Sequence, residues 1–144
     1  MNNLNRLSPD DIRQTTRYST ILKLAFGSFT NKKLEKVLSE YETNPDAKLF
    51  ALLNQAQVIG IIGYKIQENL LVIKQIAIAE TSQNQGFGTQ LIKQIISQEN
   101  PLQVQAETDN DAVGFYEKLG FKCSPFVSKY GNKRYVCHMI LERD

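Results

Sequence analysis

Between Ala47 and Ala79 three β-rich runs, AKLFALLN, VIGIIGYKI and LLVIKQIAIA, are separated only by the polar stretches QAQ and QEN. Connections that short cannot carry a crossover, so the runs must pair as an antiparallel meander. The third run is expected at the centre of the sheet, and it does not end in another hairpin. It leads through ETSQNQGFG into a segment whose Leu91, Ile92, Ile95 and Ile96 form a helical apolar face, stopped by Asn100 and Pro101 before the short strand LQVQAE. A strand, helix and strand from Leu70 to Ala106 should pair the two strands in parallel through a right-handed crossover. The sheet is therefore mixed, antiparallel on one side of Leu70–Ala79 and parallel on the other.

The flanking segments read as follows. Ser8, Pro9 and Asp10 make a helix start, and Ile12, Tyr18, Ile21, Leu22 and Ala25 recur at helical spacing as far as Gly27. Asn31 is expected to cap a second helix with Leu34, Val37, Leu38 and Tyr41 on one face, ending before Asn44 and Pro45. These two helices are expected to precede every strand. Further on, Asp109 or Asn110 should cap a helix carrying Ala112, Val113, Phe115, Tyr116 and Leu119 that stops at Gly120, and a hairpin over Tyr130 to Lys133 joins the last two strands. Within the second run, Gly60 and Gly63 suggest twist, a bulge or close approach of a neighbour. With no repeat or linker, residues 1–144 read as a single domain of α/β or α+β class.

Composition narrows the partners. A net charge of +2 without clustered Lys and Arg argues against nucleic acid, and the nearest cluster, Lys129 to Arg134, is read as a solvated turn. No run reaches the roughly eighteen apolar residues of a membrane span, and MNNLNRLSPDD has no apolar leader, so a cytoplasmic protein without membrane partners is expected. On that reading Cys123 and Cys137 are reduced thiols. The single histidine, His138, excludes a His-rich metal site and is assigned to buried or edge-strand packing; no metal is expected.

The stretch QNQGFG, Gln83 to Gly88, spends two glycines at a helix start, where they cost helix stability. Bare backbone at the carboxyl end of a strand, opening a helix, offers unpaired N–H groups and a positive dipole end to an anion, with a pyrophosphate as the expected ligand. It is not a P-loop, because Gly88 is followed by Thr89 and Gln90 rather than by Lys and Ser or Thr. It is not the dinucleotide fingerprint, because Leu91 stands where the third glycine belongs. A structural strand-to-helix turn with no ligand is the alternative.

What remains, Q-x-x-G-x-G, resembles the acetyl-coenzyme A pyrophosphate loop of the GCN5-related N-acetyltransferases (GNAT family). The stretch DNDAVGFYEKLGF, Asp109 to Phe121, resembles the family's second signature, with Ala112, Tyr116, Gly120 and Phe121 in register. The resemblance runs from Ala47 to Leu141 in element order. It implies a mixed, mostly antiparallel sheet of about six to seven strands with flanking helices, splayed between strands 4 and 5 where the pantetheine arm enters.

The resemblance also implies roles. Acetyl-CoA would be the co-substrate, held by Gln83, Asn84, Gln85, Gly86, Phe87, Gly88 and Thr89 at the pyrophosphate. The backbone of Ile76, Ala77 and Ile78 would hold the pantetheine, with Asp109 or Asn110 as a further contact. Tyr116 would bond the coenzyme sulfur and act as general acid, a phenol of pKa about 10 being able to donate to a thiolate. Phe115, by contrast, is read as core packing. The family's strand glutamate is missing, since Leu70 to Ile78 holds only Lys74 and Gln75 as polar residues. Glu80 and Glu107, at strand ends, are the candidate bases through a water relay. The implied activity is acetyl transfer to a primary amine on a small molecule or a protein, by a monomer or homodimer. A catalytically weak acyl-CoA sensor is the alternative.

Overall fold

The computed structural model describes residues 2–142. Seven strands form one sheet: β1 (Asn3–Leu7), β2 (Ala47–Asn54), β3 (Gln57–Gln67), β4 (Leu70–Ile78), β5 (Gln103–Thr108), β6 (Lys122–Val127) and β7 (Lys133–Ile140). Their spatial order is β1-β2-β3-β4-β5-β7-β6. The meander β2 to β4 is antiparallel and β4 runs parallel to β5, as the short turns and the crossover require. Helices α1 (Pro9–Gln14), α2 (Thr16–Leu22) and α3 (Asn31–Thr43) cover one face, and α4 (Phe87–Glu99) and α5 (Val113–Lys118) the other. Leu91, Ile92 and Ile95 pack on Ile62, Tyr64 and Leu71, while Ile12, Leu22 and Leu38 pack on Leu49 and Ile61.

Several sequence expectations are corrected. A strand precedes the first helices: NLNRL carries too few apolar residues to show alternation, and its place is set by β2, with Leu4 opposite Leu52 and Leu7 opposite Leu49. The first helix is two, because Thr15 is extended (φ −120°, ψ 103°) and serves as the end of α1 and the start of α2. Ser8 does cap α1, in a reciprocal capping box with Asp11. Thr30, not Asn31, caps α3, its hydroxyl accepting from the Lys33 N–H at 3.1 Å. Neither Asp109 nor Asn110 caps α5: Asp109 Oδ1 accepts from the N–H groups of Asp111 and Ala112 at 3.0 and 2.9 Å, forming a turn that delays the helix to Val113.

The cysteines are not free thiols. Cys123 and Cys137 face each other across β6 and β7 and are joined as a disulfide. Hairpin register brings them together, which no local spacing motif discloses. His138 lies on the inner strand β7, half-buried, with Nε2 2.9 Å from Gln103 Oε1. Among the described residues no helix is long and apolar enough to cross a membrane, and no three His, Cys, Asp or Glu side chains group as metal ligands.

Two irregularities shape the centre of the sheet. The β3–β4 register passes from Gly63 opposite Gln75 to Tyr64 opposite Ile73, so Lys74 is an extra residue, a bulge in β4. Gly63 leaves room there for the Tyr41–Gln75 pair, since a Cβ would stand 2.7 Å from Gln75 Oε1 and nearer still to the Tyr41 hydroxyl, so a larger residue would displace those two side-chain ends. Below the bulge β4 pairs with β5 only from Leu70 to Ile73, against Gln103 to Ala106; above it the two strands part.

The carboxyl end of α4 is pinned by Glu99, whose Oε2 accepts from the Tyr64 hydroxyl and from Lys48 Nζ at 2.9 Å. Burial pushes the Glu99 carboxyl up, but the bonds from Tyr64 and Lys48 outweigh it and hold it below the ordinary carboxylate range. A lowered folded-state pKa contributes stability above that range, lost as pH falls through it. Glu99→Leu should cost about 1–3 kcal/mol in urea unfolding, because the fully buried Tyr64 is left with an unpaired hydroxyl. Adding Tyr64→Phe should recover part of that loss; a strictly additive double mutant would show that the two groups are not coupled.

Candidate functional site

Where β4 leaves β5, its backbone has no strand on one side. Ala79 N–H bonds Ile59 C=O at 2.8 Å, so by antiparallel alternation Ala77 also faces β3, while Ile76 and Ile78 turn their N–H and C=O groups into the gap. The Ile78 carbonyl is met by Gln83 Nε2 at 3.1 Å. The chain then makes a short 3-10 turn, Glu80–Ser82, and enters the glycine stretch.

Gly86 is the residue before α4 and has φ +84°, a left-handed conformation that glycine adopts without penalty. Asn84, at φ +63°, is left-handed too. Among the described residues no acceptor meets the backbone N–H groups from Asn84 to Thr89; the first bond of the helix is Gln90 N–H to Gly86 C=O at 3.0 Å. These donors, at the positive end of a 13-residue helix, border a cleft of about 490 Å³. Ile76, Ala77 and Ile78 form one wall; Gln83, Asn84 and Gly86 to Thr89 form another. Gln85 is not in the lining, its Nε2 turning back to the Thr81 carbonyl at 3.3 Å.

A second cleft, of about 320 Å³, shares Leu24, Ile76, Ala112 and Phe115 with the first. It brings together Tyr116, Glu107 and Asp109 with Lys74, Gln75 and Arg134. Phe115 stands between the two clefts: a Cβ on Gly88 would lie 3.2 Å from its ring, so the glycine lets the aromatic seat against the start of α4.

Tyr116 is only 4% exposed, with edge-on contacts to Phe115 and Phe121 at 5.1 and 5.3 Å between ring centres. Its hydroxyl has no hydrogen-bond partner among the described residues. Burial, and then the Asp109 carboxylate, push its phenol up to about 12. It is thus a neutral donor across the physiological range.

The other sequence candidates separate. Glu107 lines the second cleft, whereas Glu80 is exposed and lines neither. Asn110 also lines neither; its Oδ1 accepts from the Tyr135 hydroxyl at 3.0 Å. Gln75 accepts a hydrogen bond from the Tyr41 hydroxyl, over the space left by Gly63.

Leu24, Ser82, Ala112 and Arg134 line the clefts although none is among the site residues expected from the sequence. Phe115, expected only to pack in the core, lines both clefts. Arg134 carried a usable signal: with Cys137 in the core, alternation along RYVCHMI puts Arg134 on the opposite face of the sheet.

The Tyr116 environment is testable. In a protein carrying ¹³Cζ-labelled tyrosine, the resonance removed by Tyr116→Phe should keep its neutral position up to about pH 10, because a folded-state pKa near 12 leaves the phenol protonated there. A titration midpoint at or below the ordinary value of about 10 would contradict the burial argument.

Comparison with known proteins bears on the whole arrangement. The family profile described as an acetyltransferase (GNAT) domain matches residues 12–142. A Bacillus methanolicus protein described as an uncharacterized N-acetyltransferase in the lysA 3' region is 32% identical over 63 residues, 43% of this chain and 52% of that relative. The matched stretch therefore spans about half of that protein. A GNAT family acetyltransferase from Elizabethkingia anophelis, solved with acetyl-CoA bound, superposes with a TM-score of 0.70 at 21% identity, covering 97% of this chain and 98% of that one. The ribosomal-protein-S18-alanine N-acetyltransferase of Escherichia coli superposes at 0.75 with 16% identity, covering 100% and 96%. At these identities the two structures show a shared fold.

Proposed function

The chain belongs to the acetyltransferase (GNAT) domain family, and on that premise we propose that it transfers an acetyl group from acetyl-CoA directly to an amine. The observation that carries the reading is the β4–β5 gap, which runs from a row of free backbone N–H groups to an unpartnered tyrosine hydroxyl. Acetyl-CoA fits that donor set. The N–H groups of Asn84 to Thr89, with Gly86 and Gly88 keeping side chains out of the way, suit a pyrophosphate. The exposed backbone of Ile76 and Ile78 suits the amides of a pantetheine arm, which would pair with β4 as a strand does. Gln83 has no charge to offer and braces the turn instead, through the Ile78 carbonyl.

Acetyl-CoA, when bound, would supply an activated carbonyl: the amine nitrogen bonds to the carbonyl carbon, the carbon–sulfur bond breaks, and CoA leaves as the thiolate, which then takes a proton from water. The protein's residues then have three tasks. The gap holds the two reactants side by side, which is the largest entropic contribution available to such a site. Glu107, the one of the two candidate carboxylates that lines the second cleft, accepts the amine proton through water. Tyr116 donates a hydrogen bond to the leaving sulfur. With its pKa near 12 the phenol is a stronger proton holder than a thiol of about 8.5, so it stabilises the departing sulfur by hydrogen bonding rather than by surrendering its proton outright. The cysteine pair and His138 take no part.

CoA at a hundred times its dissociation constant should stabilise the fold by about 2.7 kcal/mol, and no change at saturating CoA would overturn the reading. Tyr116→Phe should keep CoA affinity within about threefold while lowering kcat on the order of a hundredfold. The wild-type kcat should rise with pH as the amine loses its proton and then stay level to about pH 10, since the phenol functions protonated and its pKa lies above that range. Stabilisation by CoA with no amine-dependent thiol release would instead identify a sensor.

A further inference from the structure

We propose that the acceptor is a zwitterion, an amine that carries its own carboxylate, such as a free amino acid, rather than a polyamine. This rests on the transferase reading above and concerns the second cleft. Lys74 and Glu107 are the first residues beyond the last paired rung, Ile73 with Ala106, and both line the cleft. They have opposite charge yet make no ion pair, and no carboxylate among the described residues lies within ion-pairing distance of Arg134 on the same wall. The contrast within the chain is plain: Arg13 is matched by Asp10, Glu35 and Glu42.

Gln75 adds a fixed donor. Its carbonyl oxygen is taken by the Tyr41 hydroxyl, which leaves the amide N–H₂ of this cleft-lining residue with no acceptor among the described residues. The same small cleft therefore offers two cations with no ion-pair partner among the described residues, and an amide donor, together with the carboxylates of Glu107 and Asp109. A carboxylate bound by Lys74, Arg134 and Gln75 and an ammonium facing Glu107 and Asp109 satisfy both sets at once. A polyamine would bring further positive charge against Lys74 and Arg134, a like-charge arrangement that discriminates against it.

The experiment is a CoA thiol-release assay with the free amino acids, their decarboxylated amines and spermidine, run in parallel with CoA binding. At least one amino acid should exceed its decarboxylated amine tenfold or more in kcat/KM, and Arg134→Gln with Lys74→Gln should collapse that ratio toward one while the CoA dissociation constant stays at the wild-type value. Preference for spermidine or for the decarboxylated amines, or a ratio indifferent to the double substitution, overturns the proposal and leaves the transferase reading standing. Absence of CoA binding, or of thiol release with every amine, overturns both.

Discussion

The structure turns on one break in backbone pairing. β4 is hydrogen-bonded to β5 as far as Ile73 and Ala106, then an extra residue at Lys74 bends it away, and the peptide groups of Ile76 and Ile78 are left without a strand partner. Sheets normally satisfy such groups, because an unmade bond in a protected place carries most of the cost of desolvating it. Here the pairing stops at the bulge itself, beside the Tyr41–Gln75 contact that the missing side chain of Gly63 leaves room for. A ligand with amide groups along an extended chain is the natural complement.

Everything else at the site is arranged around that opening. α4 starts at its edge and directs its unbonded N–H groups into it; α5 places Tyr116 at its floor. The two helices meet through Phe115 seated over Gly88, so the first turn of α4 and the helix that carries Tyr116 are joined by an aromatic contact. At the far end of α4 the Glu99 bonds to Lys48 and Tyr64 secure the helix to β2 and β3. From the opposite face of the sheet Leu24 reaches over and lines both clefts.

The part of this legible in the sequence is the part determined locally. Short polar turns fixed the meander, the Gln83–Gly88 stretch marked a bare helix start, and the spacing of Ala112, Tyr116 and Gly120 placed the tyrosine on its helix. What the chain concealed depends on partners distant in sequence. NLNRL is a strand only because β2 offers it an edge, and Cys123 meets Cys137 only because of hairpin register. Arg134 belongs to the site because β7 inserts beside β5, which its own neighbours in a basic turn do not disclose. Gln75 looked like an isolated polar residue in a buried strand; the bulge beside it and the missing side chain of Gly63 explain its position.

The central claim is that the gap itself receives the coenzyme. Amide chemical-shift mapping of the ¹⁵N-labelled protein during titration with CoA tests it most directly. The account predicts the largest shifts at Ile76, Ile78 and the run from Asn84 to Thr89, with slowed hydrogen exchange at the same amides once CoA is bound. Shifts concentrated elsewhere, on β6 and β7 for example, with Ile76, Ile78 and the glycine turn unmoved, would contradict it.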